Sequence, residues 1–304
     1  MKNIMMMKKT IRTTLLSVAT AILVGCGTTS TVPITGRKQN LLVSDDQVLT
    51  LSMQQYNEYM QTAKKSTNAT NTAMVQRVGQ KLSSAVMNYL NQHGLAADAQ
   101  KYAWEFNLVQ NNQVNAFCMP GGKIVVYEGL LPVTQDEASL AIVLGHEIAH
   151  AVAKHSAERL SNEYKKQYGA QLLSVGVSAA GLSDYSKLIG IGASLGSELW
   201  TSGFSRSQES EADHMGLIFA AMAGYNPQVA TTFWQRMAAQ GTGSSSVFSD
   251  HPSDAKRIKQ IQEWMPEALQ YYRPATTTTT TTTTASKSSK KTTPATSKGF
   301  RIGN

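Results

Sequence analysis

The run Ala138-Ser139-Leu140-Ala141-Ile142-Val143-Leu144 is apolar and strongly helical, and Gly145 then leads straight into His146-Glu147-Ile148-Ala149-His150. A helix this apolar is one that buries itself, so the chain must fold around three polar side chains that are costly to bury without a partner. At roughly 100° per residue, His146 and His150 lie about 40° apart on one face, one turn from each other. Two neutral imidazoles so placed can reach a single zinc ion at about 2.0–2.1 Å, with the Glu147 carboxylate beside the open coordination position. A carboxylate there can take a proton from water whose pKa the metal has lowered to about 7. Thr134 and Glu137 have the spacing of a capping box, which predicts a helix start near Thr134.

A catalytic zinc usually keeps three protein ligands. One known solution places glycine three residues and histidine six residues after the second histidine, but those positions hold Ala153 and Ser156. His155 falls one residue short and, on a continuing helix, points about 140° away from His150, the position of a supporting or structural residue. The third ligand is expected in Ser205-Arg206-Ser207-Gln208-Glu209-Ser210-Glu211-Ala212-Asp213, ahead of the apolar run Leu217-Ile218-Phe219-Ala220-Ala221. Glu209 and Asp213, four apart, share one helix face; Glu211 turns away and on its own reads as a solvated charge. Glu209 would ligate the metal, and Asp213 would accept a hydrogen bond from the free ring nitrogen of a ligand histidine.

Four segments together resemble metallopeptidase family 48, the HtpX and CAAX-prenyl-protease type, and within it the periplasmic lipoprotein branch. They are Asn115-Ala116-Phe117 with Pro120-Gly121-Gly122, Leu144 to His150, Glu209 to Asp213, and His251-Pro252 followed by Arg257-Ile258. The resemblance implies one Zn2+ per chain held by His146, His150 and Glu209, with Glu147 as the general base of a zinc endopeptidase. It also implies an edge strand beside the zinc helix that binds extended polypeptide as an added strand. Lys123 to Tyr127 is the expected edge, with Val125 on it and Asn115 and Ala116 nearby. By family position, His251 is either a turn histidine or a group near the metal, as a fourth ligand or a donor to a tetrahedral oxyanion. Misfolded or stalled envelope proteins are the substrates that the resemblance implies. The alternative is a non-catalytic, zinc-stabilised chaperone or assembly factor that keeps the groove for binding clients.

The chain ends carry different information. Lys2, Lys8, Lys9 and Arg12 precede an apolar stretch from Leu15 to Val24, too short to span a bilayer, and Leu23-Val24-Gly25-Cys26 resembles a lipoprotein cleavage site. Residues 1–25 are therefore expected to be a signal peptide and 26–40 a tether lipidated at Cys26. The expected location is the periplasmic face of a bacterial outer membrane. Cys118, the other cysteine, reads as a buried small hydrophobe. Residues 275–304 contain an unbroken threonine run and then Ser and Lys, with too little apolar surface to order. The formal charge of +8 is an end effect. Setting aside four positive charges in the first segment and five in the last leaves 19 basic against 20 acidic residues, which removes any argument for nucleic acid as a partner.

Between these ends, residues 41–274 read as one metallopeptidase domain. Helical periodicity covers 44–64 and 71–91, and strand-like runs cover 104–109, 114–118 and 123–127. From residue 134 onward the pattern is mainly helical. Asp184 and Lys187 interrupt the apolar stretch 168–197, which predicts packed helices and no membrane span. Strands grouped ahead of the main helices indicate an α+β fold, a mainly helical zincin-type domain with a small sheet beside the motif helix.

Overall fold

Capping side chains of Ser44, Asn68, Asp136 and Ser205 open four of the long helices. The computed structural model describes residues 28–175, 185–196, 198–201, 203–239 and 255–274. A hairpin comes first, β1 (Thr28–Thr31) antiparallel to β2 (Lys38–Leu41). Helix α1 (Asp45–Thr62) begins at a capping box in which Ser44 and Gln47 bond each other's backbone. Helix α2 (Ala69–Gln92) begins at Asn68, whose side chain accepts from Asn71 N–H. A short α3 (Ala96–Ala99) leads to β3 (Glu105–Val109), β4 (Ala116–Met119) and β5 (Lys123–Tyr127). Next come α4 (Leu131–Thr134), the motif helix α5 (Glu137–Val152) and α6 (His155–Val175). The chain continues through α7 (Tyr185–Leu195), α8 (Glu198–Thr201), α9 (Arg206–Met222), α10 (Val229–Ala239) and α11 (Ala255–Tyr271). The fold is α+β, as the sequence pattern predicts, and none of the described helices is long and apolar enough to cross a membrane.

The strand order is β3-β5-β4, with β3 parallel and β4 antiparallel to β5. This corrects the expected edge: Lys123–Tyr127 is the central strand, and β4 carries the edge. The physical reason lies in its side chains, all five of which are buried. A continuous Ile124-Val125-Val126 run needs cover on both faces of the sheet. Ala116, Cys118, Ile124 and Val126 pack with α2, α5 and α9 in one core. Phe117, Met119, Val125 and Tyr127 pack with α1, α6, α7 and α8 in a second.

The start of α5 differs from the predicted capping box. Thr134 ends α4, where its hydroxyl donates to Leu131 O, and Gln135 takes φ 67°. Asp136 then caps α5, accepting from Ser139 N–H at 2.6 Å. From Ser139 to Val152 every residue of α5 is buried. Its closest neighbour is α9, because two glycines face each other where the helices cross. A Cβ on Gly145 would stand 2.7 Å from Gly216 O, and one on Gly216 would stand 2.6 Å from His146 N. The helix line breaks at Lys154, in a left-handed conformation with φ 56°, and α6 starts in a new direction at His155.

Candidate metal centre

Helix α5 presents His146 and His150, and α9, held close by the glycine crossing, presents Glu209 between them. His146 Nε2 and His150 Nε2 are 3.1 Å apart. Glu209 Oε2 lies 3.5 Å from His146 Nε2, and Glu209 Oε1 lies 3.4 Å from His150 Nε2. Donors about 2.0–2.1 Å from a tetrahedral metal stand about 3.3–3.4 Å from one another, so these three already have the spacing of one coordination shell. All three are buried, and among the described residues they are the group able to hold a metal ion. Two imidazoles and one carboxylate are a donor set that suits a divalent cation and leaves a position open.

The outer ring nitrogens are held by different means. His146 Nδ1 donates to Asp213 Oδ1 at 2.9 Å, which directs Nε2 toward Glu209 and His150, where it offers a lone pair to a metal once its own proton is displaced. Arg257 donates to the same Asp213 oxygen at 2.5 Å, and its guanidinium lies 3.4 Å above the Trp234 ring. Burial alone would lower the His146 pKa, but Asp213 and Glu209 outweigh it and raise it to about 9. His150 moves the other way: burial pushes it well below its usual value against the pull of Glu209. Its ring is stacked on Phe204 at 4.1 Å.

His150 Nδ1 lies 2.8 Å from His155 Nδ1, and His155 Nε2 lies 2.9 Å from Glu211 Oε2. The expected 140° divergence of His155 does not occur, because the left-handed Lys154 ends the helix and swings the ring back. Glu211 is not a solvated charge either. It is buried, with Thr35 Oγ1 donating at 2.5 Å and Arg37 Nε at 2.8 Å. Burial alone would raise its carboxyl, but His155, Thr35 and Arg37 outweigh it and hold it at about 2.

Glu147 is also buried. It acts electrostatically on Cys118 of β4, whose thiol is pushed well up by burial first and by Glu147 second. Asn115 and Ala116 are buried at the start of that strand. Val125 is not brought to the site: it sits in the central strand and faces the second core, away from α5. His251 and Cys26 lie outside the described residues. Sequence reasoning missed Arg37, Thr35 and Trp234, which carry no local signal. It quoted Arg257 only as part of a resemblance.

The model of peptidase family M48 matches residues 70–265, well over half of the chain. A mitochondrial metalloendopeptidase OMA1 from Schizosaccharomyces pombe is 41% identical over 169 residues, covering 54% of this chain and 48% of the relative. The Arabidopsis thaliana protein of the same name is 37% identical over 184 residues, covering 60% and 36%. A beta-barrel assembly-enhancing protease of Yersinia pestis is 31% identical over 176 residues, covering 55% and 35%. The chain spans less than half the length of each of these relatives. The expected placement at a bacterial outer membrane is overturned by the first two and by further mitochondrial relatives from yeast, cattle and man. A basic, acid-free N-terminus is shared by several targeting systems and carries no address by itself. With the matched span enclosing both histidines, Glu147, Glu209 and Asp213, the chain belongs to peptidase family M48.

Proposed function

We propose that this chain is a zinc-dependent endopeptidase in which His146, His150 and Glu209 hold the metal and Glu147 is the general base. The observation that carries the reading is three buried donors at tetrahedral spacing, with a further buried carboxylate on the same helix. Its relatives, a metalloendopeptidase and a protease by name, support the same activity. When bound, zinc would polarise the scissile carbonyl and make water acidic enough to lose a proton at neutral pH. Glu147 takes that proton and passes it to the leaving amine. Asp213, fixed by Arg257, keeps the His146 ring in the metal-binding tautomer.

The substrate is an extended polypeptide laid along β4. Tyr127 N–H donates to Asn115 O, so in this antiparallel pair residues 115, 117 and 119 bond to β5. The alternation turns the backbone groups of Ala116 and Cys118 to the other edge, where no strand pairs with β4 among the described residues. An incoming strand can use them.

The test is Glu147→Gln, assayed for cleavage of an unfolded protein and for metal content. The proposal expects zinc bound as in the wild type and cleavage lost by at least about a hundredfold. Cleavage at the wild-type rate would refute the mechanism. Stoichiometric retention of unfolded clients by a wild-type protein that never turns them over would favour the chaperone reading.

A further inference from the structure

We infer that the N-terminal hairpin is part of the metal centre: Arg37 and Thr35, through Glu211 and His155, position His150 for the metal. The inference rests on the reading that His146, His150 and Glu209 hold a metal.

Two ring nitrogens 2.8 Å apart form a hydrogen bond only if one carries a proton and the other a lone pair. Glu211 decides which. As a carboxylate it only accepts, so the His155 nitrogen 2.9 Å away carries the proton, on Nε2. Neutral His155 then has its lone pair on Nδ1 and accepts from His150 Nδ1–H. His150 is left with a bare Nε2, directed at Glu209 and His146. This is the task that Asp213 performs directly for His146, carried out here through one additional imidazole.

The hairpin keeps Glu211 in that role. The turn between β1 and β2 places two donors on the carboxylate, the Thr35 hydroxyl and Arg37 Nε. Arg37 is anchored in turn by Glu158 of α6, which accepts from its two terminal nitrogens at 2.9 and 3.0 Å. Gln208 of α9 donates to the same Glu158 at 2.8 Å. The relay therefore links α5, α6, α9 and the hairpin. The hairpin lies wholly ahead of residue 70, where the family match begins, so nothing in that match assigns it a role.

The test is the dissociation constant of the full chain for Zn2+, measured by competition with a chromophoric chelator, alongside thermal unfolding of the metal-free protein. Arg37→Gln is the first variant, since that side chain is 33% exposed and belongs to neither hydrophobic core. Removing a positive charge near a cation site would by Coulomb's law tighten binding, so weakened binding reports lost positioning. The relay predicts about 3–10-fold weaker Zn2+ binding by Arg37→Gln, no weakening by the neighbouring Lys38→Gln, and about 10–100-fold by His155→Phe. A role confined to structure would lower the unfolding temperature and leave the dissociation constant of the folded protein unchanged. Wild-type affinity in both Arg37→Gln and His155→Phe would overturn the inference, and Arg37→Gln alone decides if His155→Phe does not fold. A wild-type chain that binds no Zn2+ would overturn the metal reading and the relay with it; a zinc-binding wild type with unaffected variants overturns the relay alone.

Discussion

Gly216→Ala perturbs the contact that sets every ligand position, and the size of the disturbance can be worked out. The added methyl would stand 2.6 Å from His146 N and 2.8 Å from His146 Cα, against 3.4–4 Å for ordinary contact. These neighbours are backbone atoms of a helix buried along its length, so they cannot turn aside as a side chain would. Relief requires α9 to move from α5 by roughly 0.8 Å, more than the ~0.5 Å tolerance of a working metal constellation. Asp213 and Glu209 lie one and two turns before Gly216 and move with it. Overpacking of this kind costs about 1–3 kcal/mol, which lowers the melting temperature by roughly 2–4 °C per kcal/mol in a domain of this size. Zn2+ affinity should fall at least about tenfold, since the two helices carry different ligands. The assays are calorimetry of the metal-free protein and Zn2+ competition titration. Gly190→Ala is the control: it is helical and has nothing within 4 Å of the added methyl, so it should leave affinity unchanged and stabilise by up to about 1 kcal/mol. Wild-type melting and affinity in Gly216→Ala would refute the idea that this crossing positions the site.

Further expectations concern protons and thiols. With the metal-free His146 pKa raised to about 9, Zn2+ binding at pH 7.5 should displace about one proton, and apparent affinity should rise about tenfold per pH unit up to about pH 9. Titration calorimetry in two buffers of different ionisation enthalpy reads that proton, and a flat pH dependence would exclude it. The Glu211 carboxyl is depressed to about 2, so its contribution to stability is complete above the usual 4.5 and lost as pH falls toward 2. The stability advantage of the wild type over Glu211→Gln in urea unfolding should therefore shrink across that window, and a constant difference would contradict the network. Cys118, buried and with its thiol pushed up, should resist a thiol reagent in the native protein and react once unfolded, as peptide mass mapping can show.

The parts legible in the sequence are those governed by helix periodicity. His146, His150, Glu209 and Asp213 have spacings that a helix converts directly into directions, and the apolar runs beside them indicate burial. Pairing of strands is not encoded in that way. Ile124-Val125-Val126 reads equally well as an edge or a centre, and only the positions of β3 and β4 decide it. Contacts between distant segments were invisible for the same reason: Glu211 is buried because residues 35 and 37 cover it, more than 170 positions earlier. One residue in the left-handed region, Lys154, was enough to defeat the helical extrapolation for His155.

The burial of α5 has a consequence for how the protein opens. Amide groups at the centre of a fully enclosed helix exchange with solvent in the most stable cooperative unit of a domain, so the stretch from Leu140 to Ile148 is expected in the slowest-exchanging unit. His146 is thus removed from fraying of the helix that carries it, whereas His150 lies in its last turn and is held there by His155 and Glu209. Hydrogen exchange followed by mass spectrometry should find the peptide around residue 146 opening together with the global transition. Any faster release of metal proceeds through the open coordination position or through movement of α9, which carries Glu209.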